Sequence, residues 1–207
     1  MAYTTIDKGE EYFNTVLWTG DASSDKSISG VGFQPDWVWA KNRSDTNDHQ
    51  MIDSNRGAGK ILRPNSDGAE LTRSSDVGAG GLQNFESDGF DVHSTTNNTN
   101  LNDNGELNVG WCWKVNGGTT ATNNAGSNSA TLGSVYQVNN TMGVSIGTYT
   151  GDGSDRDIYT GLSASGRHNE PDMVWVKNRS SGSTDWATSI HYNYYAAAAR
   201  YLSLNNT

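Results

Sequence analysis

The chain has 207 residues, a formal net charge of −9 and a hydrophobic content of 33%. Its 14 basic residues form no cluster that could neutralise a run of phosphates, so nucleic acid is not expected as a partner. No apolar run reaches about 18 residues and the N-terminus lacks signal-peptide features, which predicts synthesis in a cytoplasm without membrane insertion. With Cys112 as the single cysteine, an intrachain disulfide framework is excluded.

The composition favours an all-β fold. Gly accounts for 24 residues, and Asn, Ser and Thr are abundant, which is typical of short strands joined by many turns. Seven Trp and nine Tyr compensate for scarce aliphatic residues, because each large aromatic side chain buries about 150 to 250 Å². We therefore expect an antiparallel β-sandwich of the jelly-roll type with an aromatic core.

The first clear strand is predicted in "PDWVWAKN", from residue 35, which is apolar on both faces and should lie centrally in a sheet. Downstream, "DSNRG" contains Asp53 and Arg56, an acid and a base three positions apart in a turn. Such a pair could bind a ligand or take part in catalysis. The interpretation we favour is a lock that closes the loop through a salt bridge and backbone hydrogen bonds.

Two further strand signals follow. Phe85 and Phe90 flank Ser-Asp-Gly in "LQNFESDGFDVHS", which predicts a hairpin because Asp-Gly supplies the positive φ of a tight turn. Residues 107–115 alternate large apolar side chains with small or polar ones, so they are predicted to form a half-buried strand. The alternation puts Trp111 and Trp113 on the predicted buried face. "DMVWVKN", later in the chain, is again apolar on both faces and predicts a second central strand.

The chain repeats itself. "PDWVWAKNRS" at 35–44 returns as "PDMVWVKNRS" at 171–180, identical at eight of ten positions. Earlier, "LWTGD" is matched by "TYTGD" 131 positions on; later, "KILRPNS" is matched by "RYLSLNN" 140 positions on. Three landmarks in one order indicate a duplication.

The repeat predicts the domain organisation. Residues 1–118 form a first sandwich with a short N-terminal segment, residues 119–133 a Gly/Ser/Thr/Asn-rich linker or surface loop, and residues 134–207 a partial second sandwich. No counterparts of the hairpin or of "GWCWK" follow in the second copy before Thr207. Unpaired strand edges invite completion by a neighbouring chain, so a homo-oligomer is expected.

Catalytic and metal motifs give no assignment. Nucleophile-elbow, zinc-protease, phosphate-loop and dinucleotide patterns are all missing, so no catalytic residue is predicted. The four histidines have no ligand-like spacing, so no metal ligand is assigned. Two acidic turns, at 151–157 and 102–106, offer oxygen ligands of the kind that Ca²⁺ takes, although neither matches an EF-hand. Calcium therefore stays open as a cofactor.

A sugar-binding patch would need an aromatic side chain with an exposed face. Trp37, Trp39 and Trp175 lie in doubly apolar strands, and with Trp111 and Trp113 they are predicted to be core. The remaining candidates for glycan binding lie in a polar stretch near the C-terminus: Trp186, Tyr192, Tyr194 and Tyr195.

The motifs taken together, "YTGD", "GVGFQPDWVWAKNRS", "DSNRGAGK", "FESDGF" and "GWCWK", resemble a repeated lectin-like, concanavalin A-like or jelly-roll β-sandwich domain of virion proteins in marine tailed bacteriophages. The resemblance covers nearly the whole chain, and its motifs are structural. It implies a non-enzymatic virion protein, such as a tail-fibre, appendage or decoration component. The implied partners are other virion proteins and host-surface glycan, and a trimer is the default by analogy with fibres. The alternatives are a carbohydrate-binding receptor-recognition module and a glycan-depolymerising enzyme.

Overall fold

A computed structural model provides the structure, which describes residues 6–72, 81–94, 101–163, 171–190 and 201–205. The described chain is all-β: fifteen strands and one short 3-10 helix, Gly9–Glu11. Within these ranges, no helix has the length and apolarity that a membrane crossing requires. The strands are β1 Phe13–Thr19, β2 Lys26–Ser29, β3 Trp37–Asn42, β4 Gln50–Asp53, β5 Lys60–Ile61, β6 Leu71–Thr72, β7 Gly81–Glu86, β8 Gly89–His93, β9 Leu107–Trp113, β10 Ala121–Asn123, β11 Ser134–Asn139, β12 Val144–Tyr149, β13 Met173–Val176, β14 Ala187–Ile190 and β15 Tyr201–Ser203.

Two antiparallel sheets form a sandwich in the N-terminal region, defined as residues 6–118. The four-stranded sheet has the order β1-β9-β3-β4, and the three-stranded sheet has the order β2-β8-β7. Apolar side chains of both sheets meet in one buried cluster, which is the arrangement that removes both inner faces from water. The strand residues of this cluster are Val16, Trp18, Ile28, Val38, Ala40, Ile52, Ile61, Leu82, Phe90, Val92 and Cys112.

Strand β9 presents its small side chains, not its tryptophans, to this core. Cys112 is fully buried in the cluster, and a Cβ on Gly110 would lie 3.3 Å from Trp18 and 3.4 Å from Phe90. Trp111 and Trp113 lie on the opposite face and are half-buried. The prediction that these two tryptophans face the core was therefore wrong. The space beside β9 is already filled by large side chains from β1 and β8.

The predicted hairpin is confirmed. Strands β7 and β8 pair with Phe85 opposite Phe90, and the two-residue turn between them contains Asp88. The Asp88 carboxylate accepts hydrogen bonds from the backbone N–H groups of Gly30 and Gly32, at 3.1 and 2.6 Å. The turn is thereby tied to the segment that follows β2.

The C-terminal region, residues 119–205, contains two more antiparallel sheets of three strands, β10-β11-β12 and β13-β14-β15. Strand β3 lies centrally in its sheet, as predicted, whereas β13 lies at the edge of its sheet, where a central strand was expected.

The segment at 119–133, expected to be an irregular linker or loop, contains β10, which pairs with β11. Its residues Asn123 and Ala130 are buried. The segment is therefore not irregular throughout, because its backbone forms part of a sheet. The domain boundaries themselves stay a prediction.

Local hydrogen bonds recur in the two regions at matching sequence positions. Asn65 accepts a hydrogen bond from a backbone N–H and donates one to an aspartate, and Asn205 does the same 140 positions later. The partners are His49 and Asp48 for Asn65, and Trp186 and Asp185 for Asn205. Each asparagine thus binds the two residues that come directly before a strand, β4 or β14, and this strand is the second one of a hairpin.

The turns recur too. Asn42 Oδ1 accepts the backbone N–H of Ser44, and Asn178 Oδ1 accepts that of Ser180. We call the ten-residue segment at 35–44 and its copy at 171–180 the repeated line. In both copies an asparagine turn of this kind follows the strand. The repeat in the sequence is therefore matched by a repeat in local structure.

Candidate functional site

Trp186, predicted to bind glycan, is buried. Its side chain is 4% exposed, packs with Met51 and Leu62, and donates from Nε1 to the backbone oxygen of Arg63 at 2.9 Å. A sugar ring stacks on an open aromatic face, which this indole does not present. The assignment of Trp186 as a glycan-stacking residue is therefore corrected: the side chain joins the two regions of the chain.

The other three glycan candidates, Tyr192, Tyr194 and Tyr195, lie outside the described residues. Their assignment stays a prediction from the sequence.

Tryptophans from both regions meet on the outer face of the four-stranded sheet. Trp175 of β13 packs edge-on against Trp37 and Trp39 of β3, with ring centroids 5.6 and 6.0 Å apart. Edge-to-face pairs of this kind contribute about 0.5 to 1.5 kcal/mol each beyond the area they bury. We call this contact, together with Trp186 and its neighbours, the aromatic interface.

The aromatic row continues past the interface toward β9 and β1. Trp37 stacks on Trp113 at 4.3 Å and 22°, and Trp113 contacts Phe13 at 5.0 Å. Phe13 is 38% exposed, and Leu17 and Leu107 on the same sheet are exposed as well. One half of this outer face is therefore covered by β13 and β14, while the other half is open to solvent.

His49 extends the row at its other end. Trp39 Nε1 donates to His49 Nδ1 at 2.9 Å, so this ring nitrogen must carry no proton. Burial and the nearby Lys41 ammonium lower the pKa of His49 below its usual 6.5. The hydrogen bond from Trp39 therefore requires the neutral form of the His49 imidazole.

The structure brings Asp53 and Arg56 together. The Arg56 Nε lies 2.6 Å from an Asp53 carboxylate oxygen, and the Arg56 backbone N–H donates to the other oxygen at 2.9 Å. The same guanidinium donates to the backbone oxygens of Met51 and Lys60. Arg56 therefore closes its own turn and ties it to β4 and β5.

A second acid extends this pair into a network across both regions. Glu70 accepts Arg56 Nη1 at 3.0 Å, and its two oxygens accept Nε and Nη2 of Arg179 at 2.7 and 2.8 Å. Its side chain is 8% exposed. Burial alone would raise the pKa of Glu70, but hydrogen bonds from Arg179 and Arg56 outweigh it and lower the pKa. The ionised carboxylate therefore holds the loop after β13 against the N-terminal region.

The residues of the repeated line hold strand β9 at its C-terminal end. Asp36 is fully buried, and its carboxylate accepts backbone N–H groups from Val115, Gly117 and Gly118 at 2.7, 2.9 and 2.6 Å. It also accepts the Ser54 hydroxyl at 2.8 Å. One buried carboxylate thus satisfies the donors of the segment that leaves β9.

The same line holds the other end of β9. Arg43 donates its backbone N–H to the Leu107 oxygen at 2.6 Å, and Ser44 Oγ accepts the Leu107 N–H at 2.8 Å. The Asn42 amide donates to the Glu106 carboxylate. We call Asp36, Asn42, Arg43 and Ser44 the strand clamp.

Sequence reasoning missed the strand clamp. All four of its residue types recur unchanged in the second line, and this identity was the signal that could have found them. Their partners lie more than 60 positions away, so the pattern alone does not say what they hold.

In each of the two acidic turns considered for calcium, one side chain already has a partner within the protein. Asp152 binds Arg156 at 2.8 Å, and this hydrogen bond lowers the pKa of Asp152. Asn102 is fully buried, and its oxygen accepts the Asp21 N–H. Across the described part of the chain, no group of three or more His, Cys, Asp or Glu side chains could hold a metal ion.

Fold and site together define an all-β protein whose antiparallel sheets are joined by an aromatic interface and an ionic network. Residues 8–207 match the family model described as a domain of unknown function, DUF7483, and the chain belongs to this family. No curated protein and no solved structure matches the chain.

Proposed function

We propose that the protein is a non-enzymatic structural component of a tailed-phage virion, in a tail fibre, an appendage or a decoration. The observation that carries the proposal is that the repeated residues serve packing: they close turns, hold a strand and join the two regions. This is what a modular building block needs. The resemblance to repeated virion sandwich domains supplies the place of assembly.

Duplication of a jelly-roll sandwich is part of the proposal, supported by matching elements in the same order. Strands β3 and β13 carry the repeated line, and each pairs with the strand that follows it, β4 or β14. Strands β1 and β12 both lead into the Thr-Gly-Asp turn. In those turns Asp21 binds Lys26, and Asp152 binds Arg156.

A homo-oligomer, by analogy a trimer, is proposed as the working form. Met173 and Ile190 are cross-strand partners and are 52% and 45% exposed, and Tyr149 on β12 is exposed as well. A pair of large apolar side chains exposed together at a sheet surface, as Met173 and Ile190 are, is typical of contact sites between chains. Sedimentation of the purified chain should give an oligomer, whereas a monomer at micromolar concentration would contradict this part of the proposal.

The virion assignment is tested on particles. In a phage that encodes this chain, mass spectrometry of density-purified virions should detect the protein at a fixed ratio to the major capsid protein. Immunogold labelling should then place it on the tail or the capsid surface. Detection in infected-cell lysate but never in purified particles would contradict the assignment.

Glycan binding is the second candidate, favoured by the open half of the aromatic row, where Phe13 is 38% exposed beside Trp113. Aromatic faces of this kind bind the apolar faces of sugars. A glycan array probed with the wild type and with Phe13→Ala should reveal binding that the substitution removes. Release of reducing ends from host polysaccharide would instead support the enzyme alternative and contradict the non-enzymatic assignment.

A further inference from the structure

The second copy of the repeated line keeps the residues of the strand clamp. Asp172, Asn178, Arg179 and Ser180 stand where the first line has Asp36, Asn42, Arg43 and Ser44. In the first line these groups hold both ends of β9, which pairs with one edge of β3. Asp36, Asn42 and Ser44 act through their side chains, whereas Arg43 acts through its backbone N–H. The second line therefore carries the same three side chains for holding a strand of this kind against β13.

In the C-terminal region these side chains hold no such strand among the described residues. Strand β13 pairs there with β14 on one edge, and no described strand pairs with its other edge. Asp172 is exposed, and its carboxylate makes no hydrogen bond to another described residue, whereas its counterpart Asp36 is fully buried with four. The turn around Asn178 is nevertheless formed, so the clamp keeps its local shape.

The edge of β13 that pairs with no described strand, called here the open edge, faces the uncovered half of the aromatic row. Trp175 places β13 over β3, and Trp186, which leads into β14, packs with Met51 of β4. Strand β14 therefore lies on the β4 side, and the other edge of β13 points toward β9. A strand added at that edge would cover the outer face of β9, where Trp111 and Trp113 lie half-buried.

We propose that the open edge of β13 is a binding site for an extended strand of the β9 type, with the sequence pattern of residues 107–118. Such a strand alternates small residues with tryptophans and ends in a glycine-rich turn. Strand addition to a sheet edge is an established mode of peptide recognition, in which backbone hydrogen bonds supply affinity and alternate side chains supply specificity. The inference does not depend on the virion assignment.

We infer a strand of the β9 type because the pairing of β3 with β9 in the four-stranded sheet shows how such a strand binds to the repeated line. In the four-stranded sheet, Val38 lies opposite Cys112 and Trp39 lies opposite Trp111, in antiparallel register. Strand β13 has the same Val-Trp pair at 174 and 175. The same register would carry the glycine-rich end of the bound strand to Asp172, as Gly117 and Gly118 are carried to Asp36.

The experiment uses the full chain and a fluorescent peptide with the sequence of residues 107–118, under reducing conditions. Fluorescence anisotropy measures peptide binding to the wild type, to Asp172→Asn and to Asp155→Asn. Asp155 is an exposed acid in a turn of the same region, so this control matches the change in charge. Circular dichroism verifies that both variants are folded. A scrambled peptide of the same composition tests dependence on sequence.

We expect saturable binding to the wild type and to Asp155→Asn, and binding weakened about tenfold or more by Asp172→Asn, because a carboxylate accepts stronger hydrogen bonds than an amide. Absence of binding, or equal binding of the scrambled peptide, would overturn the proposal. Binding that Asp172→Asn leaves unchanged would overturn it too. Because the assay contains no virions, its failure would leave the virion assignment standing.

Discussion

Strands β3 and β13 carry nearly the same sequence in different surroundings. Strand β3 lies between β9 and β4, with its clamp residues occupied by β9. Strand β13 forms the equivalent hairpin with β14, but among the described residues its other edge has no partner. In both places the repeated line forms a strand that pairs with the next strand along the chain and is followed by an asparagine turn. Its position within a sheet depends on a distant strand.

The largest difference in stability is expected between substitutions of Asp36 and of its counterpart Asp172. Asp36→Ala should lower the free energy of unfolding by about 3 to 5 kcal/mol, because it leaves buried N–H groups without an acceptor. Asp172→Ala should leave it unchanged, since that carboxylate is exposed. Urea unfolding of both variants measures the difference. Equal effects would contradict the buried role of Asp36 and the exposed position of Asp172.

The next effect concerns the network that joins the regions. Glu70→Gln should lower the free energy of unfolding by about 2 to 4 kcal/mol, because Arg56 and Arg179 lose their shared, largely buried partner. Asp152→Asn removes an exposed ion pair and should have no measurable effect.

The same network predicts a dependence on acid. The lowered pKa of Glu70 means that its contribution to stability is fully present above the ordinary value of 4.5. It is lost as the pH falls below that value. In Glu70→Gln this part of the acid dependence should disappear from urea titrations, and an unchanged acid profile would contradict the role of Glu70.

A smaller effect tests why β9 turns its small residues inward. Gly110→Ala should lower the free energy of unfolding by about 1 to 3 kcal/mol, because the added methyl group would meet Trp18 and Phe90. Gly151→Ala, where an added Cβ meets no other atom within 4 Å, is the matched control. Thermal unfolding of the two variants measures the difference. A neutral Gly110→Ala would contradict the packing of this face.

The smallest effect is a pH dependence of stability that the β3–β4 hairpin should show and the β13–β14 hairpin should not. His49 has a lowered pKa, so the stability it contributes is present above its ordinary value of 6.5 and is lost as the pH falls through that value. Trp186 stands at the matching position in the C-terminal region and does not titrate. Wild type and His49→Gln should differ in the change of stability between pH 7 and about pH 5.5. Identical changes would show that His49 is not the group responsible.

Local patterns were predictable from the sequence, and long-range ones were not. The hairpin at Phe85 and Phe90 follows from a turn signal and two short strands, all within residues 81–93. The inward face of β9 could not be found in this way, because it depends on Trp18 and Phe90, which already fill the core. An alternating strand gives two faces, and only its neighbours decide which one is buried.

The candidate site follows the same rule. Asp53 and Arg56 are close in sequence and were predictable as a pair, whereas their link to Glu70 and Arg179 required the packing of the two regions. Trp186 was expected to be exposed because its sequence neighbours are polar. Its burial comes from Met51 and Leu62, which lie more than 120 positions away.

The most direct test of the central claim is residue-resolved hydrogen exchange on β3 and β13, with and without the peptide of residues 107–118. We expect β3 amides to be protected throughout, whereas amides on the open edge of β13 should exchange quickly without the peptide and slowly with it. Protection of β13 equal to that of β3 without the peptide would contradict the claim that the open edge of β13 is a binding site for a further strand. An exchange rate that the peptide leaves unchanged would contradict it as well.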